Sequence, residues 1–220
     1  MIIRPLSSPA LNGIRVRKKR GIIMSLILSI QGCMASGKTS ALHYIAGHLP
    51  DVTVFYEDNR EVIEQTAREG LIKTQPEDYL KIQRLWIAHE MERYRSAGQH
   101  RCSVLDFGPE EIEFYTLNYP QTVGADWDVE NSLHRELADL RQCRSDRILF
   151  LDADKATLLS RKNGDANRSR LFFEHYTESL MPLKKKWFSG KDNVDILQTD
   201  DLSKEQVGQY AVNWIRHFLK

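Results

Sequence analysis

Apolar positions arrive along this chain in short blocks, separated by longer stretches of periodic polar and apolar residues. The blocks at 26–31 (LILSIQ), 52–57 (VTVFYE), 102–107 (CSVLDF), 147–152 (RILFLD) and 194–198 (VDILQ) are brief and rich in β-branched residues, which predicts strands. Ile148-Leu149-Phe150-Leu151 is apolar without alternation, as expected of a strand covered on both faces in a parallel sheet. Helical spacing predicts helices over 38–48, 59–69, 76–97, 109–117, 128–143, 155–163, 168–188 and 203–219. Pro50-Asp51, Ser96-Ala97-Gly98 and Ser189-Gly190 punctuate the joins. Strands alternating with helices predict a doubly wound α/β domain with right-handed crossovers. No repeat, low-complexity tract or second-domain linker interrupts it.

Composition changes this picture little. The 220 residues suffice for one domain with a sizeable core, and 41% hydrophobic with 28% charged residues is ordinary for a soluble globular chain. A formal net charge of +1 gives no global field towards nucleic acid or membrane. No apolar run reaches the roughly 18 residues of a membrane span. Cys33, Cys102 and Cys143 are odd in number and lack metal-ligand spacing, so they read as free thiols of a reducing, cytoplasmic compartment. The histidines show no paired metal spacing either. Residues 1–23 end in a basic cluster, Arg15-Val16-Arg17-Lys18-Lys19-Arg20. Charge before an apolar run fits a signal peptide loosely, but that run leads straight into a glycine loop and reads as the first core strand. The expectation is a disordered extension over 1–23 ahead of a domain over 24–220, with a nucleic-acid or anionic-surface contact as the alternative.

The strongest chemical signal follows the first strand. Gly32-Cys33-Met34-Ala35-Ser36-Gly37-Lys38-Thr39 matches G-x-x-x-x-G-K-[ST] at every fixed position, with Ser40 next. Gly32 and Gly37 let the backbone wrap close to phosphates, and the N–H groups of the loop point inward at the open N-terminus of helix 38–48. Lys38 is expected to reach the β- and γ-phosphates and the Thr39 hydroxyl to ligate magnesium. A nucleoside triphosphate, with ATP as donor, is the expected ligand.

Whether the chain transfers, hydrolyses or senses that ligand depends on weaker signals. Glu57 and Asp58 close the second strand, where carboxylates face a nucleotide, so either could take an acceptor proton; a solvated loop acid is the plainer reading. Asp106 ends the third strand after Val104-Leu105, a short Walker B-like pattern that would orient magnesium through water. Arg161, Lys162, Arg168 and Arg170 flank Asn163-Gly164-Asp165-Ala166-Asn167, which suits a lid over the phosphates. Asp201 or Ser203 reads as the cap of the last helix. Tyr79, Trp86, Tyr115, Tyr119 and Trp127 offer rings to a flat acceptor, though each reads first as core. Tyr94, Phe172 and Phe173 read as packing.

Taken together, the Gly32–Thr39 loop, Glu57, Asp106, Ile148-Leu149-Phe150-Leu151-Asp152-Ala153 before the arginine-rich segment and Asp195-Ile196-Leu197-Gln198-Thr199-Asp200 resemble P-loop nucleoside and nucleotide kinases over roughly residues 25–219. The order is closest to deoxynucleoside and thymidylate kinases. That resemblance implies a three-layer α/β sandwich with a five-stranded parallel sheet in the order 2-3-1-4-5, and use of ATP and Mg2+. It further implies an acceptor between helices 59–97 and 109–143, Glu57 as base, and the arginines as charge stabilisers. A homodimer is compatible with it. One departure stands out. These kinases carry an arginine after the acid of the third strand, and here Asp106 is followed by Phe107. Another cation, such as Arg60 or Arg84, must then substitute, or the acceptor differs from a standard nucleoside. A kinase of another small molecule and a nucleotide-hydrolysing switch are the competing readings. For the switch, a guanine-reading Asn-Lys-x-Asp is missing, since Lys162-Asn163-Gly164-Asp165 reverses its first two residues.

Overall fold

The structure, a computed structural model, describes residues 25–163 and 170–219. The predicted extension over 1–23 and Arg168 of the predicted lid lie outside the described residues. Five strands, β1 (Leu26–Gly32), β2 (Thr53–Phe55), β3 (Cys102–Asp106), β4 (Arg147–Asp152) and β5 (Val194–Gln198), form one sheet. Every pairing is parallel and the order is β2-β3-β1-β4-β5, as the resemblance implied.

Among the described residues ten α-helices connect and cover the strands: α1 (Lys38–His48), α2 (Arg60–Arg68), α3 (Pro76–Ala97), α4 (Pro109–Thr122), α5 (Val129–Ser132), α6 (His134–Leu140), α7 (Lys155–Asn163), α8 (Arg170–His175), α9 (Met181–Ser189) and α10 (Lys204–Phe218). The unalternated apolar runs bury both faces of the sheet. Leu149 and Leu151 of β4 join Leu28 and Ile30 of β1 beneath α1 and α10, while Ile148 and Phe150 point to the opposite core with Phe114, Phe173 and Phe188. A third cluster, built on Tyr79, Ile87, Ile112 and Leu137, welds α3, α4 and α6 into one wall. Tyr94 packs as predicted, with its hydroxyl on the Arg144 carbonyl, and Ser203 caps α10 in a reciprocal box with Gln206.

Three helical predictions need correction, each for a local reason. The helix predicted over 128–143 is two, broken at Leu133, whose backbone leaves the helical region (φ −119°, ψ 23°) to bury its side chain. The helix predicted to end at 117 runs on to Thr122 through Pro120. Pro120 leaves the Thr116 carbonyl without its helical N–H, and the Tyr79 hydroxyl donates to that oxygen at 2.9 Å instead. The helix predicted over 168–188 is interrupted by a π turn at Tyr176–Leu180. Pro182 lies just beyond it and cannot donate to the carbonyl four residues back, the circumstance in which a helix widens or kinks.

Gly208 lies where α10 crosses α1, and a Cβ there would fall 2.4 Å from Tyr44 Cγ. Glycine inside a helix costs about 0.5–1 kcal/mol against alanine, so close packing explains its presence. Gly208→Ala should therefore lower stability by about 1–3 kcal/mol, read as a drop in Tm, despite its better helix propensity. In a Tyr44→Ala background the same change should cost nothing; an undiminished loss there would contradict the packing account.

Candidate functional site

Site geometry starts from the turn out of β1. Gly32 adopts φ 143° because a Cβ would meet the Leu151 carbonyl oxygen at 2.2 Å, and Cys33 N–H donates to that same oxygen at 3.2 Å. The loop therefore leaves the sheet pressed against β4, at the switch point between β3 and β4 where open α/β sheets bind ligands. Ala35 (φ 62°) and Gly37 (φ 103°) take left-handed torsions and turn the chain into α1. Lys38 folds back so that its ammonium donates to the Gly32 and Cys33 carbonyls at 3.3 and 3.1 Å. Cys33 points inward; burial pushes its thiol up, against the opposing pull of Lys184.

Asp106 ends β3 beside this loop. Its carboxyl is pushed up first by burial, then pulled down by Lys38 and raised again by Glu57. One of its oxygens, Oδ1, is buried without a hydrogen-bond partner. Glu57 follows β2, open to solvent, with Oε1 accepting from Asn59. A group that the sequence did not single out holds these strand ends together. Arg93 on α3, nearly buried, donates to the Phe55 carbonyl at 3.0 Å and the Asp106 carbonyl at 2.7 Å, and pairs with Glu90 at 2.9 Å. Burial lifts the Glu90 carboxyl to about 7 although Arg93 pulls it down.

A cavity of about 1250 Å³ opens from the loop, over Glu57 and Asp106, into the space between α2, α3 and α4. Its far wall carries Gln83, Trp86, Phe107 and Tyr115. Phe107 takes φ 74°, unusual for a bulky residue, and its ring stacks on Tyr115 at 5.9 Å and 6°. Gly108 follows in a conformation where a Cβ would meet Gln31 Nε2 at 2.8 Å. Beneath this turn, buried Glu110 accepts from Gln31, Ser145 N–H and the Ser145 hydroxyl, fixing the start of α4. Lys73 reaches the rim with its ammonium 3.5 Å from the Tyr119 ring centre, and desolvation of that head group lowers it to about 8.

The cavity thus gathers the loop 34–40, Glu57, Asp106 and Arg161. Arg161 is held by the Thr199 hydroxyl and carbonyl, and Leu202 lines the same cavity. Asp58 lies outside, in an exposed pair with Arg60. Neither Arg60 nor Arg84 lines the cavity, and Arg84 pairs with Glu136 instead, so neither fills the place left by Phe107. Arg170 is the first residue of α8. Of the suggested rings, Trp86 and Tyr115 line the cavity, whereas Tyr79 is fully buried and Trp127 packs on it. Lys184, Glu111 and Tyr176 were missed. Tyr176 accepts from Met34 N–H in the loop at 3.2 Å, and Lys184 donates to Gly32 O at 2.9 Å and to the Glu111 carboxylate.

A divalent cation fits this donor set. Asp106, whose Oδ1 is buried without a hydrogen-bond partner, and Thr39, with its hydroxyl, both line the cavity. Among the described residues no cluster of three or more His, Cys, Asp or Glu could hold a metal alone, so a cation here would complete its shell with water and phosphate oxygens, as magnesium does. Among the described residues no helix is long and apolar enough to cross a membrane.

A family model described as an AAA domain matches residues 28–179. No curated protein matched the sequence. Among solved structures, deoxyadenosine kinase from M. mycoides with bound dATP is similar with a TM-score of 0.69 at 16% identity, covering 87% of this chain and 99% of that one. The same enzyme with dCMP and dCDP gives a TM-score of 0.65 at 14% identity over 87% and 99% of the two chains. Thymidylate kinase from Candida albicans gives 0.62 at 16% identity over 88% and 92%. At these identities the likeness establishes the shared fold.

Arg93→Met should be severe, because it leaves Glu90 buried without its charge partner and two strand-end carbonyls without a donor. About 3–5 kcal/mol of stability should be lost at pH 8 by urea denaturation. The folded Glu90 carboxyl takes up its proton near 7 and the unfolded one near the ordinary 4.5, so the folded form binds more protons between these values and loses stability as pH rises through them. Without Arg93 the folded value climbs further. The deficit of Arg93→Met should therefore shrink at pH 5.5; an equal deficit at both pH values would argue against an ion-pair origin.

Proposed function

The chain belongs to the AAA domain family, and from that premise we propose that it is an ATP-dependent phosphotransferase acting on a nucleoside or nucleotide. One observation carries the reading. The phosphate loop and a second, ring-walled compartment form a single cavity of about 1250 Å³, with Glu57 and Asp106 at their junction. That volume exceeds the roughly 300–1,000 Å³ of a one-ligand pocket and has room for donor and acceptor together. A hydrolysing switch needs only a water beside the γ-phosphate and has no use for the Gln83, Trp86 and Tyr115 wall. The neighbours that share the fold at most of their length are named as deoxyadenosine and thymidylate kinases, which favours the same class of acceptor.

In this reading the backbone amides of 33–39 and the start of α1 hold the triphosphate, and Lys38 leaves the Gly32 and Cys33 carbonyls for the β- and γ-phosphates. Thr39 and Asp106 would hold magnesium, which when bound would neutralise charge on the triphosphate. The base of the donor lies towards Leu202, and the acceptor lies between Phe107–Tyr115 and Trp86. Glu57 stands at the compartment boundary and takes the proton of the attacking hydroxyl or phosphate. Arg161, with Arg168 and Arg170 from the following segment, stabilises charge as the phosphoryl group moves. The chain works in the cytoplasm, where ATP and reduced thiols coexist.

The deciding experiment offers γ-labelled ATP and Mg2+ with a panel of nucleosides and nucleoside monophosphates. Label should pass to one of them. Label reaching only water, or only a sugar or other non-nucleoside acceptor, would overturn the assignment. Lys38→Ala should reduce transfer by at least about 100-fold with Tm nearly unchanged, since Lys38 supplies charge and little packing. Glu57→Gln should lower kcat by roughly 100–10,000-fold while ATP affinity by calorimetry stays within about threefold. Equal losses of kcat and ATP affinity in the Glu57 variant would remove it as the base.

A further inference from the structure

Behind the phosphate loop lies a second lysine that neither the motif nor the proposed mechanism uses. We propose that Lys184 is a second phosphate-facing cation of the transfer site, and that Glu111 is the positioning residue that presents it; this rests on the phosphotransferase reading. Two ammonium groups converge on one carbonyl: Lys184 Nζ lies 2.9 Å and Lys38 Nζ 3.3 Å from Gly32 O. Both residues line the cavity. Lys184 is also 5.7 Å from the Phe107 ring centre and 5.2 Å from that of Tyr115, the rings that wall the acceptor side. It therefore stands at the boundary a phosphoryl group must cross.

The charges around it are unbalanced. Lys184 and Glu111 each expose 1% of their side chains, and Glu111 Oε1 accepts from Lys184. Glu111 Oε2 is buried with no hydrogen-bond partner, although Glu111 lines the cavity. A buried pair kept only for stability is favourable when its remaining lone pairs are satisfied, and this one is not. Burial and the like charge of Lys38 push the Lys184 ammonium down, so its environment disfavours the charge it carries. A polyphosphate on the loop supplies the missing negative charge, and a donor group on the acceptor or a water satisfies Glu111 Oε2.

The helix that delivers Lys184 is shaped for the purpose. Positions eight apart on a regular α-helix point about 80° away from one another. Tyr176 and Lys184 nevertheless both reach the loop, at Met34 N–H and Gly32 O. The intervening π turn widens the winding and aligns them, consistent with the use of such turns at functional sites. The neighbouring Lys185 goes elsewhere, to Asp152 and the Ala153 carbonyl. In the step itself the bond between the γ-phosphorus and the β-bridging oxygen breaks and a bond from the acceptor oxygen forms. The acceptor proton passes to Glu57, ADP leaves, and Lys184 keeps its own proton.

The test compares the full chain with Lys184→Arg, Lys184→Met and the charge-balanced double variant Lys184→Met/Glu111→Gln. Binding of ATP·Mg2+ and of ADP·Mg2+ is measured by calorimetry, Tm is measured in parallel, and kcat is measured with the nucleoside or monophosphate that takes label. In the double variant kcat should fall about 10–1000-fold and ATP should lose at least about tenfold more affinity than ADP, with Lys184→Arg recovering part of both. A folded double variant with kcat and both affinities within twofold of wild type would reduce Lys184 and Glu111 to a structural pair. On the unmodified protein, the lysine ε-carbon NMR signal that disappears in Lys184→Arg should move when ATP·Mg2+ is added and stay in place with adenosine. An unmoved signal overturns the proposal even if the methionine variants do not fold. Wild-type protein that binds no ATP at all would instead sink the phosphotransferase reading, so the two failures are distinguishable.

Discussion

The close approach of Gly32 to β4 is the constraint on which the site depends. With no side chain there, the backbone can press against the Leu151 carbonyl, send the Cys33 N–H to that oxygen and leave its own carbonyl pointing at Lys38 and Lys184. Any Cβ at this position would push the loop off the sheet and move every amide that follows. The phosphate cradle is thus an outcome of sheet packing as much as of loop sequence. β1 is its anchor because it is central: it pairs with β3 on one side and β4 on the other, and Leu28 and Ile30 are fully buried. A loop springing from an edge strand would have no comparable footing.

Charge is the second organising force. The carboxyl ends of the strands collect Glu57, Asp106, Glu110 and Glu111 within a few turns of one another. Each is handled differently. Glu110 is consumed by Gln31 and Ser145 and locks the start of α4. Glu111 is matched by Lys184. Asp106 is left with a free buried oxygen, and Glu57 stays in solvent. Asp106 and Glu57 stand at the junction of the cavity, the disposition expected of a metal-orienting acid and a proton acceptor, while Glu111 keeps one buried oxygen without a hydrogen bond beside Lys184. Arg93 makes the arrangement stable by binding the carbonyls of Phe55 and Asp106, so β2 and β3 end at the same level and their acids face one space.

Much of the fold was legible because its signals are local. Five apolar blocks gave five strands, and a fixed eight-residue spacing placed the phosphate loop; both depend on neighbours in sequence. The failures share the opposite property. Leu133 breaks a helix to reach a core built by α3, and Pro120 is tolerated because Tyr79, 41 positions earlier, satisfies the carbonyl it frees. Arg93 draws its role from carbonyls on two strands. Lys184 was hidden in a Lys184-Lys185-Lys186 run that reads as a solvated face. A trace of it was present, since Met181, Lys184 and Phe188 follow the i, i+3, i+7 spacing of a buried stripe. A lysine inside such a stripe needs a partner in the interior, but nothing in the sequence says which. The arginines at 161, 168 and 170 were legible only as a cluster of charge, and Arg161 takes a place on the cavity rim.

The turn after β3 is where this chain departs from the kinases it resembles. Phe107 holds a left-handed backbone at φ 74°, which for a bulky side chain costs on the order of 1–3 kcal/mol and persists only where the surroundings fix it. Glycine would make the same turn at less cost. What the phenylalanine adds is a ring face, stacked on Tyr115 and turned towards Lys184. An arginine here would bring its own charge into the cavity; an aromatic surface leaves the position neutral and receives a cation from α9 by its π face. A cation carried on a helix couples to different neighbours from one at a strand end. Lys184 shares its helical segment with Tyr176, which touches Met34 in the loop. Cation and loop are thereby joined through a helix outside the sheet. A displacement of that helix would move them together, whereas an arginine on β3 would stay fixed to the core.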